Sequence, residues 1–150
     1  MNNTIAPLLQ IELQNLVSRY VWALDGGDAE GVCKVFTDDA VVQDTGGNRY
    51  EGIAAIRGYF TMLTRRPEFR GRQHHIDNCL FSPEHEGVRC RSYWTVTQWL
   101  TAQNRKEFIV VGHSSDLFVQ HGGEWRFRER LLHYWRDVDC PWAPEGTLPT

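Results

Sequence analysis

The sequence predicts one α+β domain in which N-terminal helices pack against a curved, mostly antiparallel sheet. In the first part of the chain, apolar residues recur at three- and four-residue steps, which is typical of amphipathic helices. From Arg72 onward, long stretches rich in β-branched and aromatic residues alternate with short turn sequences. Helices followed by a run of strands are the element order of an α+β domain, and 150 residues suffice for one core.

An apolar stripe predicts the first helix, and a glycine pair predicts its end. The stripe consists of Leu9, Leu13, Leu16, Val17, Tyr20 and Leu24. The glycines at 26–27 are typical of a helix stop. Asp28 is then a natural N-cap for a second, shorter helix that carries Val32, Val35 and Phe36.

A short strand precedes the third helix, and four long strands follow it. Residues 40–44 form a β-type run closed by a turn at 45–48. Gly52 comes just before the third helix, whose apolar face carries Ile53, Ile56, Phe60 and Leu63. The long strands, joined by hairpin turns, are expected at about 72–81, 88–100, 107–120 and 124–135.

The whole chain, 1–150, is predicted to form a single domain with its core at about 8–135. No linker or internal repeat divides it. The segment 137–150 contains three prolines, so we expect it to lie extended over the body or to be mobile.

Composition and charge argue against nucleic acids and membranes as partners. A net charge of -3, with scattered arginines, argues against nucleic acid. No apolar run approaches the roughly 18 residues that span a bilayer, and no secretion signal is visible, so we expect no membrane partner. The four cysteines form no C-x-x-C pair, which favours reduced thiols in a cytoplasmic protein without a metal cage.

Five local patterns in a fixed order resemble one family. They are YVWALDGGD (20–28), FTDDAV (36–41), GIAAIRGYF (52–60), HHIDN (74–78) and WRFRER (125–130). Together they resemble the SnoaL-like branch of the nuclear transport factor two-like superfamily, nearest to scytalone dehydratase and lindane dehydrochlorinase. The resemblance implies a cystatin-like, cone-shaped barrel around a deep apolar pocket, usually in dimers, so a homodimer or homotrimer is expected.

Asp25 and His74 are the candidate catalytic pair. Asp25 ends the first helix beside the apolar stripe, where it could face a pocket or merely cap the turn. His74 and His75 are adjacent in a strand, so they point to opposite faces, and the residues alone leave the choice open. In the family, the catalytic histidine stands four residues before an Asn or Gly, which places that role on His74 because of Asn78. The dehydratases and the dehydrochlorinase keep an Asp where Asp25 stands.

Two further polar residues could stabilise charge on a substrate oxygen. The resemblance places Arg130 where the dehydrochlorinase carries an arginine near its leaving group. Alternatively Arg126, Arg128 and Arg130 form an outward-facing row, unless a bulge alters the alternation. His113 either donates a hydrogen bond to a substrate oxygen or is an ordinary core histidine.

Aromatic residues suit the wall of a pocket for a small apolar or cyclic molecule. The substrate-binding candidates are Trp22, Tyr59, Trp94 and Phe108. The favoured function is a cofactor-independent lyase, a dehydratase of a small cyclic hydroxy-carbonyl compound, with no metal. The alternatives are a non-catalytic ligand-binding protein or the small β subunit of a ring-hydroxylating dioxygenase. An isomerase or polyketide-cyclase-like enzyme would use the same base.

Overall fold

Three helices pack against a curved, open six-stranded sheet, which confirms the α+β prediction. The computed structural model describes residues 4–139. The helices are α1 (Pro7–Asp25), α2 (Ala29–Cys33) and α3 (Ile53–Arg65). The strands are β1 (Phe36–Gln43), β2 (Arg49–Glu51), β3 (Arg72–Pro83), β4 (Val88–Leu100), β5 (Arg105–His121) and β6 (Glu124–Tyr134).

The strand order in the sheet is β2-β1-β6-β5-β4-β3. The consecutive strands β3 to β6 form antiparallel hairpins, and β2 pairs antiparallel with β1. Only the β1 and β6 pairing, within residues 4–139, is parallel. It joins the N-terminal hairpin to the last strand, so the sheet has β2 and β3 at its edges.

The helix α1 follows the predicted stripe, because its buried side chains lie three or four positions apart on one face. Asp28 caps α2 as predicted, since its carboxylate accepts a hydrogen bond of 2.8 Å from the Gly31 backbone N–H. The helices α1 and α2 contact each other, and α3 contacts α2, β1 and β2. The helices therefore cover one face of the sheet, called the concave face below.

The predicted second helix is too long. The helix α2 ends at Cys33, and Phe36 already belongs to β1. Phe36 pairs with Phe127 of β6, and the Val35 carbonyl accepts a 2.8 Å hydrogen bond from the Phe127 N–H. Pairing with a distant strand therefore overrides the local helical spacing at Val35 and Phe36.

The four long strands agree with the sequence prediction to within a few residues. The strand β2 was not predicted, and it pairs with β1 across the 45–48 turn. Asp44 fixes that turn, because its carboxylate accepts the backbone N–H groups of Gly46 and Asn48, each at 2.9 Å.

An aromatic cluster fills the space between the helices and the concave face. Its rings belong to Tyr20, Phe36, Phe60, Phe118 and Phe127, all at most 3% exposed. Neighbouring centroids lie 4.7 to 6.1 Å apart in edge or tilted arrangements. This cluster forms the floor on which the candidate site is built.

Part of the predicted C-terminal segment 137–150 lies outside the described residues. Asp137–Asp139 form a short 3-10 turn. Cys33, Cys79 and Cys90 are free thiols, and Cys140 falls outside the described range. Between residues 4 and 139, no helix combines the length and the apolar character needed to cross a bilayer.

Candidate active site

A cavity of about 410 Å³ opens between the helices and the concave face. Most of its wall is apolar, supplied by α1, α3 and strands β3 to β6. The polar side chains that reach it include Tyr59, Arg72, His74 and Arg130. Its size and lining are those of a pocket for a small organic molecule.

Asp25 and His74 meet at the wall of this cavity. His74 Nδ1 lies 2.5 Å from Asp25 Oδ1, and the His74 backbone N–H donates to Asp25 Oδ2 at 2.9 Å. Their side chains are 16% and 18% exposed, respectively. The carboxylate at the end of α1 thus holds both the backbone and the ring of His74, instead of capping its own helix.

The contact with Asp25 determines which nitrogen of the neutral His74 ring carries the proton. A carboxylate accepts hydrogen bonds, so a neutral His74 ring carries its proton on Nδ1, which leaves the lone pair on Nε2. No hydrogen bond within residues 4–139 occupies Nε2. The arrangement therefore presents an oriented proton acceptor beside the cavity.

His75 points to the other face, as strand alternation requires. It is exposed, and its Nε2 lies 3.2 Å from Thr97 Oγ1. Of the two adjacent histidines, His74 is the one that lines the cavity, as the resemblance implied.

Arg130 lies at the cavity wall as half of a buried ion pair. Its Nη1 is 2.6 Å from Asp116 Oδ2, and the two side chains are 3% and 1% exposed. The guanidinium carbon lies 4.4 Å from the centroid of the Tyr20 ring. The outward-facing arginine row considered from the sequence is therefore wrong for Arg130.

A β-bulge explains why Arg130 turns inward. Leu117 pairs with Glu129, whereas Phe118 pairs with Phe127, so Arg128 is an extra residue in β6. Phe127 and Arg130 consequently share the concave face. Arg128 forms an ion pair with Asp39 at 3.2 Å.

Burial is the largest cause of the pKa shifts of Asp116, Tyr20 and Tyr59. It raises the pKa of the Asp116 carboxyl, and the Arg130 charge opposes that rise. Burial also raises the pKa values of the Tyr20 and Tyr59 phenols. Both phenols therefore stay protonated at neutral pH, and Tyr59 offers an O–H at the cavity wall.

Tyr59 and Trp94 line the cavity, as the aromatic candidates were expected to do. Tyr59 stacks on Tyr50, with ring centroids 4.2 Å apart. The Trp94 indole lies against Gly112, where an added Cβ would come within 1.9 Å of Trp94 Cζ2. The absence of a side chain at Gly112 therefore creates the space for this ring.

Two other aromatic predictions are wrong. Trp22 is 81% exposed, because it lies two residues from Tyr20 and so on the opposite side of α1. Phe108 is 61% exposed. Thr97 pairs with Phe108 and Val96 with Val110, so the extra Ile109 shifts Phe108 to the convex, outer face of the sheet.

His113 also lies away from the cavity. Its neighbours Gly112 and Ser114 occupy the concave side of β5, so the imidazole projects from the convex face. There it stacks on His133 with centroids 4.9 Å apart. Burial, followed by repulsion from His133, lowers the pKa of His113. The expected contact with a substrate in the concave cavity is therefore wrong.

The sequence reasoning missed Asp116 and Arg72. Asp116 shares strand parity with Ser114, which donates to it at 3.2 Å, and a carboxylate within an apolar strand signals a buried cation nearby. Arg72 lies two residues before His74, so both side chains face the same side of β3. Among residues 4–139, no three or more His, Cys, Asp or Glu side chains are grouped to hold a metal ion.

The family model of the SnoaL-like domain matches residues 9–131. The match spans most of the 150 residues, so the chain belongs to the SnoaL-like family. The family has enzymatic members.

Solved structures agree with this assignment. Aln2 from a Streptomyces species is 24% identical, with a TM-score of 0.79 over 87% of this chain and 93% of that chain. A variant of Rv3472 from Mycobacterium tuberculosis, a protein of unknown function, is 25% identical, with a TM-score of 0.77 over 92% and 83%. A protein from Novosphingobium aromaticivorans provisionally named a scytalone dehydratase is 19% identical, with a TM-score of 0.71 over 86% and 85%.

Proposed function

We propose that this chain is a cofactor-independent lyase that dehydrates a small cyclic hydroxy-carbonyl compound, with His74 as the general base. The observation that carries the proposal is the 2.5 Å contact between His74 Nδ1 and Asp25 at the wall of an apolar cavity. A carboxylate that fixes the tautomer and stabilises the imidazolium makes histidine an effective base at neutral pH.

The reaction begins at a ring carbon next to the carbonyl group. Nε2 of His74 accepts the proton from this carbon, and the electrons of the C–H bond form the new C=C bond. The C–O bond to the neighbouring hydroxyl breaks, and the departing oxygen takes the proton now held on His74 Nε2 and leaves as water, which returns the imidazole to its neutral form. Asp25 acts as a positioning residue throughout, because it stabilises the charge that forms on the imidazole.

Arg130 is the group that meets negative charge on the carbonyl oxygen. It lines the same cavity, and its buried Nε has no hydrogen-bond partner among residues 4–139. Asp116 holds the guanidinium in place through Nη1. A fixed donor in an apolar site stabilises a developing oxyanion without needing to reorient.

The test is a screen of cyclic β-hydroxy ketones, in which dehydration appears as the absorbance of a conjugated enone. With an active compound in hand, His74→Ala should reduce turnover by about 100-fold or more. The matched control is His75→Ala, which removes the neighbouring imidazole from the opposite face and should leave turnover within about twofold. Equal losses in the two variants would refute the assignment of His74.

Asp25→Asn tests the positioning role separately. The amide still accepts the His74 backbone N–H, but its own N–H faces Nδ1 and drives the ring proton to Nε2. Turnover should fall by about 100-fold, as in His74→Ala. Nitrogen NMR of the imidazole should report the tautomer switch without any substrate. An isomerised or cyclised product would refute the dehydratase proposal in favour of an isomerase or cyclase. Recovery of unchanged ligand would refute it in favour of a non-catalytic binding protein.

A further inference from the structure

Arg72 brings a positive charge to the cavity that no carboxylate of the described chain neutralises. Its side chain lines the cavity, and its Nε is buried without a hydrogen-bond partner within residues 4–139. No Asp or Glu in that range forms an ion pair with it. A partly buried guanidinium normally has an anionic partner, because losing its hydration is unfavourable.

The second arginine of the cavity shows the contrast. Arg130 has Asp116 at 2.6 Å, so that pair carries no net charge into the cavity. Within residues 4–139, the guanidinium of Arg72 lies instead against the face of the Phe69 ring, whose centroid is 4.9 Å from the guanidinium carbon. A cation and aromatic ring contact orients the guanidinium but does not neutralise it.

Phe69 also places Arg72 beside the proposed base. The His74 and Phe69 ring centroids are 5.7 Å apart, so the Phe69 ring contacts both the His74 imidazole and the Arg72 guanidinium. Residues two apart on a strand are separated by about 6.6 Å. Arg72 and His74 therefore project from neighbouring positions on the same face of β3, so a group bound to Arg72 lies on the side of the cavity that His74 lines.

We propose that Arg72 binds a carboxylate of the substrate, so that the cavity takes a cyclic carboxylic acid with its ring against His74. The planar fork of arginine matches a carboxylate in two parallel hydrogen bonds. The apolar wall accommodates the ring, and the bound carboxylate supplies the negative charge that the cavity lacks. The role of His74 in this statement rests on the proposed function, whereas the binding of the carboxylate by Arg72 does not.

The test compares two probes of the same shape, 2-naphthoate and 2-naphthamide, by titration calorimetry at pH 7. A hydrogen-bonded charge pair contributes about 1.5 to 3 kcal/mol, so naphthoate should bind at least about 10-fold more tightly than the neutral amide. Arg72→Gln should remove this preference to within about twofold while leaving the affinity for naphthamide unchanged. Arg72→Lys should keep part of it.

Arg70→Gln is the matched control, since Arg70 is an exposed neighbour whose loss changes the net charge equally. It should retain the full preference for naphthoate. Equal affinities for the two probes in the unaltered chain, no binding of either, or an undiminished preference in a folded Arg72→Gln variant would each overturn the proposal. The assay measures no turnover, so its failure and that of the lyase proposal are distinguishable.

Discussion

The two faces of the sheet each hold a buried or half-buried histidine, but in opposite electrostatic surroundings. On the concave face, His74 contacts the Asp25 carboxylate at 2.5 Å. On the convex face, His113 stacks on His133 at 4.9 Å, and burial with the second imidazole lowers its pKa. The carboxylate accepts a hydrogen bond from His74 Nδ1 and so orients the ring, whereas the neighbouring His133 imidazole opposes protonation of His113. The neighbours, rather than the residue type, decide which histidine is suited to act as a base.

The ion pairs on the two faces differ in burial: the Arg130 and Asp116 side chains are buried, whereas those of Arg89 and Glu129 are partly exposed. Breaking the buried pair should cause the largest loss of stability. Asp116→Asn leaves the Arg130 charge buried without its partner, so the free energy of unfolding should fall by about 3 to 5 kcal/mol. Glu129→Gln is the control on the convex face, where Arg89 donates from Nη1 to Glu129 at 2.7 Å and from Nε and Nη2 to Glu84 at 3.0 and 3.1 Å. That loss should stay below about 1 kcal/mol.

Urea unfolding of the two variants checks this difference. Similar losses in Asp116→Asn and Glu129→Gln would mean that burial does not distinguish the two faces.

Gly112→Ala should have an intermediate effect, because it crowds the concave face where Trp94 lies. The new Cβ would come within 1.9 Å of Trp94 Cζ2 and 2.3 Å of the His133 carbonyl oxygen. Relief requires movement of the backbone as well as the ring, so the free energy of unfolding should fall by about 1 to 3 kcal/mol. Thermal or urea unfolding measures the loss.

Gly58 in α3 provides the control for this substitution. Nothing lies within 4 Å of the position of its added Cβ. Gly58→Ala should raise the free energy of unfolding by up to about 1 kcal/mol, since alanine favours the helix. If Gly112→Ala does not lower the free energy of unfolding either, the close packing of Trp94 on β5 does not exclude a side chain at position 112.

The smallest effect is expected on the convex face, in the pH dependence of stability. The pKa of His113 is lowered in the folded state, so the unfolded chain binds more protons as the pH falls below about 6.5. This contribution to stability is therefore complete above that pH and is lost on acidification. His133 opposes the protonation of His113, and Asp139 favours it.

His113→Gln should consequently lose less stability than the unaltered chain between pH 7 and pH 5. The free energies of unfolding at the two pH values test this directly. The control is His121→Gln, which removes an exposed imidazole at the end of β5 and leaves the His113 and His133 pair in place. An identical slope in all three proteins would show that the convex pair does not titrate as described.

The sequence predicted the elements because their signals are local. The spacing of Leu13, Leu16 and Tyr20 marks the buried face of α1, and the cap at Asp28 marks the start of α2. The same spacing could also have excluded Trp22 from the cavity, because Trp22 lies on the side of α1 opposite that stripe. The resemblance identified the Asp25 and His74 contact, and strand alternation required His75 to face away from His74.

The tertiary structure alone decided which face several strand residues occupy. One extra residue in β6, Arg128, turns Arg130 into the cavity, and one in β5, Ile109, turns Phe108 out of it. A bulge reverses the alternation for every residue beyond it, and its position depends on the partner strand. For the same reason the partner of Arg130, Asp116, and the unpaired charge of Arg72 emerge only when distant segments of the chain are brought together.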